Sequence, residues 1–128
     1  MYGCAVPVKV FVVDDADQVR EMLVQMLELS EFDVVGSAAN GPDAIENVVA
    51  TDPDVVVTDY KMPDMDGIAV ARAIREKRPD QAIILYTAYL DAALEREAKA
   101  AGVSMCVSKI EGLETLERDI RRLAGDSF

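Results

Sequence analysis

The chain has 128 residues, 51% of them hydrophobic, and carries 13 Lys and Arg against 24 Asp and Glu, for a net charge of −11. That length suits one domain around one core, and the acidic balance argues against direct binding of nucleic acid or an anionic membrane while favouring a cationic partner or a metal ion. The absence of histidine excludes imidazole-based zinc sites, His-dependent triads and a phosphohistidine on this chain, and the two cysteines, Cys4 and Cys106, are too few for a disulfide framework.

No apolar run approaches the roughly 20 residues of a membrane span, and no signal peptide is evident, so the expected compartment is the cytoplasm. In chain order, "VKVFVV" at 8–13 reads as a strand, and Val19, Met22, Leu23, Met26 and Leu27 then recur on one helical face. "DVVGSA" at 33–38 is a second strand, followed by Pro42 at a helix's first position and a buried stripe of Ala44, Ile45, Val48 and Val49. "DVVVT" at 54–58 is a third, apolar enough for a strand covered on both faces, and a helix carrying Ile68, Ala71 and Ile74 follows from about Gly67. "AIILY" at 82–86 precedes an Ala-rich helix from about Leu90 to Ala101. "MCVS" at 105–108 precedes a last helix with Leu113, Leu116, Ile120 and Leu123 inward and an exposed face of Glu114, Glu117, Arg118 and Arg121.

Five strands alternating with five helices predict an α/β fold: an open, doubly wound, mainly parallel sheet with helices on both faces. The expected domain is the whole of 1–128, with a core at about 8–123 and frayed ends at 1–7 and 125–128. Ligands in such folds bind beyond the carboxyl ends of the strands, where strand order reverses. Those exits are consistent: Asp14 and Asp15 after the first strand, Asp59 after the third, Thr87 after the fourth and Lys109 after the fifth, with only Ser37 and Asn40 at the second.

Each residue also has a plainer reading. Asp17 suits a helix N-terminus, Asp66 an N-cap before Gly67, and Asp64 a turn. Thr87 or Lys109 alone would be unremarked at a strand end or on a surface. Three converging carboxylates, however, repel one another unless a cation shares them, and an open, partly hydrated site suits Mg²⁺ better than Ca²⁺. With a hydroxyl and an ammonium added, the set fits a phosphoryl group, and Asp59 is the best placed nucleophile.

At these residues the chain resembles the receiver domain of bacterial two-component response regulators, the family that includes the chemotaxis regulator. The resemblance covers 8–123 and rests on the acidic pair, on "D-x-x-M-P-x-M-D-G" at 59–67, and on Thr and Lys after the fourth and fifth strands. It implies a flavodoxin-like sheet of order 2-1-3-4-5. It also implies that Asp59 accepts a phosphoryl group from a sensor histidine kinase. Asp15, Asp59 and the Lys61 carbonyl would ligate Mg²⁺, Asp14 would act largely through water, and Thr87 and Lys109 would bind phosphoryl oxygens. Lys61 and Tyr89 would flank the phosphoryl group and slow hydrolysis of the acyl phosphate.

Two positions depart from the family pattern. Ile110 replaces the proline, often cis, that usually follows the lysine, and Cys106 stands where an aromatic switch residue is usual. The expectation is therefore that Cys106 is an inert filler and that activation runs through Thr87 and the loop to Leu90, with Tyr86 or Tyr89 moving. A degenerate receiver that binds partners without phosphorylation is the alternative. An aspartyl phosphohydrolase would want a carboxylate where Lys61 stands, and "DDADQ" would repel a flavin phosphate. The chain is either a stand-alone regulator or a piece of a longer one whose output domain or partner the sequence does not name.

Overall fold

The computed structural model describes residues 6–125. The strands are β1 (Lys9–Val13), β2 (Asp33–Ala38), β3 (Val55–Thr58), β4 (Ala82–Thr87) and β5 (Met105–Ser108). The helices are α1 (Asp17–Leu29), α2 (Gly41–Thr51), α3 (Gly67–Lys77), α4 (Ala92–Ala100) and α5 (Leu113–Leu123), with one 3₁₀ turn at Lys109–Glu111. All pairings are parallel and the order is β2-β1-β3-β4-β5, as expected. The expected frayed ends fall largely outside the described residues, as does Cys4.

Alternation along the strands divides the core in two. Phe11, Val13, Val56, Ile83 and Leu85 face α2, α3 and α4 and pack with Ala44, Val48, Ile68, Ile74 and Leu94. Val10, Val12, Val55, Val57 and Ile84 face the other way, onto Leu23 and Leu27 of α1 and Leu116 and Ile120 of α5. A strand buried on both faces has no polar side to show, which is why the three valines of β3 are all buried. Between β1 and β2 the register slips after Val10, and Gly36 lies so close to the Phe11 ring that a Cβ would stand 2.7 Å from it.

Several helix details differ from the sequence reading. In α1 only Leu23 and Leu27 are buried, while Val19, Met22 and Met26 are exposed, because the apolar stripe is wider than the surface that β1 and α5 leave for it. In α2 the N-cap is Asn40, whose side chain accepts from Asp43 N, so Pro42 comes second rather than first; Val49 is exposed. α4 begins after Asp91, which caps it through Leu94 N, so Leu90 lies outside the helix. On α5, Glu114 and Arg118 are exposed, but Glu117 accepts from Ser30 Oγ at 2.5 Å and Arg121 donates to Ser30 O at 2.9 Å with its guanidinium over the Phe32 ring. Half of the expected solvated face thus ties α5 to the turn between α1 and β2. Among the described residues no helix is long and apolar enough to cross a membrane.

Candidate functional site

β1 and β3 are neighbours at the centre of the sheet and end side by side, which brings the residues after them together. Asp59 N donates to Val13 O at 2.9 Å and Asp14 N to Ala38 O at 3.1 Å, so both acidic segments leave the sheet still tied to the neighbouring strand. Carboxylate oxygens of Asp14, Asp15 and Asp59 lie within 4.8 Å of one another. Asp14 is buried, Asp15 exposed and Asp59 half-buried. The buried one is held on both sides: Asp14 Oδ1 accepts from Ala16 N at 2.9 Å, and Arg20 donates to Asp14 O at 2.8 Å while pairing with Asp17. Sequence reading missed that role of Arg20, although its i, i+3 spacing from Asp17 was visible.

Asp59 Oδ1 accepts from Tyr60 N at 2.7 Å, and its Oδ2 lies 3.4 Å from Lys109 Nζ. The same ammonium is 3.4 Å from Asp14 Oδ2. Burial, with Asp14 adding to it, raises the Asp59 carboxyl above its ordinary pKa, while Lys109 and Tyr60 N pull the other way. Lys109 reaches Asp14 and Asp59 alone, so the three carboxylates keep uncompensated negative charge, and three converging hard oxygen donors, one of them on an exposed residue, fit a small divalent cation. Gly67 closes the loop beneath Asp59: its N–H donates to Tyr60 O at 2.7 Å, and a Cβ there would lie 2.2 Å from Asp59 O.

The remaining expected residues stand differently. Thr87 is buried at the end of β4, and its hydroxyl accepts from Tyr89 N at 3.2 Å. Lys61 is exposed and extends its ammonium over the Tyr89 ring, 5.6 Å from the centroid. The structure thus groups Asp14, Asp15, Asp59 and Lys109, and pairs Lys61 with Tyr89 and Thr87 with its own loop. Asp66 caps α3 through Ala69 N, and Asp64 adopts φ 70° in the turn before it. The peptide between Lys109 and Ile110 is trans, and Ile110 is exposed. Cys106 is half-buried, and burial, followed by Glu95, raises its thiol pKa, which disfavours the reactive thiolate.

Comparison with known proteins agrees with this arrangement. A family model described as the response regulator receiver domain matches residues 10–121. The DNA-binding transcriptional activator DevR/DosR of Mycobacterium tuberculosis is 40% identical over 109 residues, covering 84% of this chain and 50% of that protein. The signal receiver domain of the response regulator NarL from Mycobacterium tuberculosis superposes with a TM-score of 0.85 at 33% identity, over 93% of this chain and 97% of that one. The response regulator TrrA of Thermotoga maritima, solved in complex with Mg²⁺-BeF, gives 0.81 at 30% identity, over 91% and 98%. The chain spans about half the length of DevR/DosR, and between 30% and 56% of the curated relatives it matches. With the 2-1-3-4-5 sheet, the acidic cluster at its carboxyl rim and the match over 10–121, the chain belongs to the response regulator receiver domain family.

Proposed function

We propose that Asp59 is the phosphoacceptor of this receiver domain and that a sensor histidine kinase is its donor. An Asp59 carboxylate oxygen attacks phosphorus; the O–P bond forms as the N–P bond to the partner's histidine breaks, and the departing imidazole takes a proton from solvent. The observation that carries this reading is the half-buried Asp59 carboxylate facing Asp14, Asp15 and Lys109 at the strand exits. Its partial desolvation keeps the oxygen basic, and Tyr60 N orients it through Oδ1. Mg²⁺, held by Asp14, Asp15 and Asp59 with the Lys61 carbonyl, would neutralise charge on the phosphoryl oxygens. Lys109 balances the anion from the β5 side, and Thr87, released from Tyr89 N, donates its hydroxyl to a phosphoryl oxygen. The Mg²⁺-BeF complex of TrrA supports this assignment of ion and phosphoryl mimic. No observation favours a degenerate receiver, since the acids, the threonine and the lysine are all present.

The output of the whole protein belongs to the same proposal. Since DevR/DosR, a DNA-binding activator, is longer than this chain, which covers 50% of it, phosphorylation here would alter how the domain engages an output domain or partner. Acetyl phosphate with Mg²⁺ tests the chemistry. Mass spectrometry should find one phosphoryl group on wild type and none on Asp59→Asn; equal incorporation in both would overturn the assignment.

A further inference from the structure

We propose that Tyr86 is a positioning residue for Lys109, its ring holding the ammonium in the phosphoryl site. Thr87 and Tyr86 are adjacent on β4, and in a strand adjacent side chains take opposite faces. Tyr86 accordingly packs with the core on the α1 and α5 side, where it and Lys109 line one groove with Leu23 and Leu113. There the Lys109 ammonium lies 5.6 Å from the centroid of the Tyr86 ring, within the range of a cation–π contact.

Lys109 needs such a support. Its two carboxylate partners are both 3.4 Å away, longer than the 2.7–2.9 Å typical of charge-assisted bonds, so neither locks the ammonium. The backbone gives little help, since Lys109 opens a 3₁₀ turn and the next side chain, Ile110, is 84% exposed and anchors nothing. A lysine is a compact charge on a flexible stem, and an unsupported one spreads over many rotamers. The ring limits those rotamers from β4 while Asp14 and Asp59 draw the ammonium from β1 and β3. Tyr86 thereby contributes to phosphoryl transfer without touching the reacting atoms.

This inference rests on Asp59 being the phosphoacceptor, so the experiment separates the two. Initial rates of labelling by acetyl phosphate with Mg²⁺ are compared for wild type, Tyr86→Phe, Tyr86→Leu, Lys109→Ala and the Tyr86→Leu, Lys109→Ala double variant, with Asp59→Asn as control. Tyr86→Met is a second ringless variant should the leucine form fail to fold. The phenylalanine variant should match wild type, and the ringless variants should label about fivefold more slowly. The double variant should be no slower than Lys109→Ala. In parallel, the Lys109 ε-methylene NMR resonance should be shifted upfield by the ring in wild type and Tyr86→Phe and should lose that shift in the ringless forms. Unchanged labelling in the ringless variants, a slow Tyr86→Phe, or an undiminished factor in the Lys109→Ala background would overturn the positioning role. Full labelling of Asp59→Asn would instead overturn the phosphoacceptor reading, whatever the ring-shifted resonance shows of the geometry.

Discussion

The two ends of the sheet hold similar groups in opposite states. At the amino ends of the strands, Asp54 accepts from Lys9 N at 2.8 Å, Arg78 pairs with Asp52, and Arg78 Nε donates to Gln81 Oε1 at 2.8 Å. The buried Gln81 amide nitrogen lies within 3.3 Å of the carbonyls of Pro53, Asp54 and Ala82. At the carboxyl ends, one lysine stands 3.4 Å from two of three clustered carboxylates, Asp14 and Asp59, and Asp59 has a raised pKa. Acids and bases that complete one another stitch loops; acids left short of partners keep an affinity for a ligand the chain does not itself supply. Incomplete compensation, rather than the mere presence of charge, separates the working rim from the structural one.

The contrast breaks first at the structural end. Gln81→Leu removes the acceptor of Arg78 Nε and the donor to three carbonyls, so it should cost about 2 kcal/mol in denaturant unfolding while leaving the acetyl phosphate labelling rate unchanged. Labelling that fell along with stability would show the two ends to be coupled. At the working end the sign reverses. Because the Asp59 pKa is raised above its ordinary 3.8, the folded state holds that proton more tightly than the unfolded chain does. Ionising it as pH rises from 3.8 through the folded value therefore costs stability, and the cost is complete above that value. Metal-free Asp59→Asn should accordingly melt above wild type at neutral pH, with the gap closing on acidification through that range. A gap that does not vary with pH would contradict the sign. The smallest effect concerns the cover of the working end: a Lys61→Ala, Tyr89→Ala double variant should lose its acyl phosphate about twofold faster, the scale of an exposed cation–π pair. An unchanged decay would mean that neither side chain restrains the attacking water.

Local order made much of this legible. Short apolar, β-branched runs bounded by turn residues marked the strands, and the residues at each strand's exit could be read directly, because a parallel βα fold puts all those exits on one rim. Asp66 as a cap and Asp17 as a first-turn acid needed only i, i+3 chemistry. The gaps were of two kinds. Helical periodicity shows that Val19, Met22 and Met26 share a face but not how much of that face a neighbour covers, and here it covers only Leu23 and Leu27. Partnerships across the chain were invisible: Ser30 with Glu117 and Arg121, and Tyr86 with Lys109, join residues whose proximity only the sheet order creates. Arg121 looked like a solvated charge because nothing near it in sequence suggests the Phe32 ring.

The contact under Asp59 also sets a limit on how this molecule can change. Gly67 touches the Asp59 carbonyl so closely that even a methyl group is refused, and its amide is bonded to Tyr60. Both ends of the intervening loop are thereby fixed in space, which makes the loop a spacer of set length. Exposed Lys61 and Pro63 can be exchanged for other letters, but an inserted or deleted residue would shift α3 by a fraction of a turn against the sheet. Variation in the loop after Asp59 is thus confined to spelling, and the length of the word is held by a glycine with no side chain to lose.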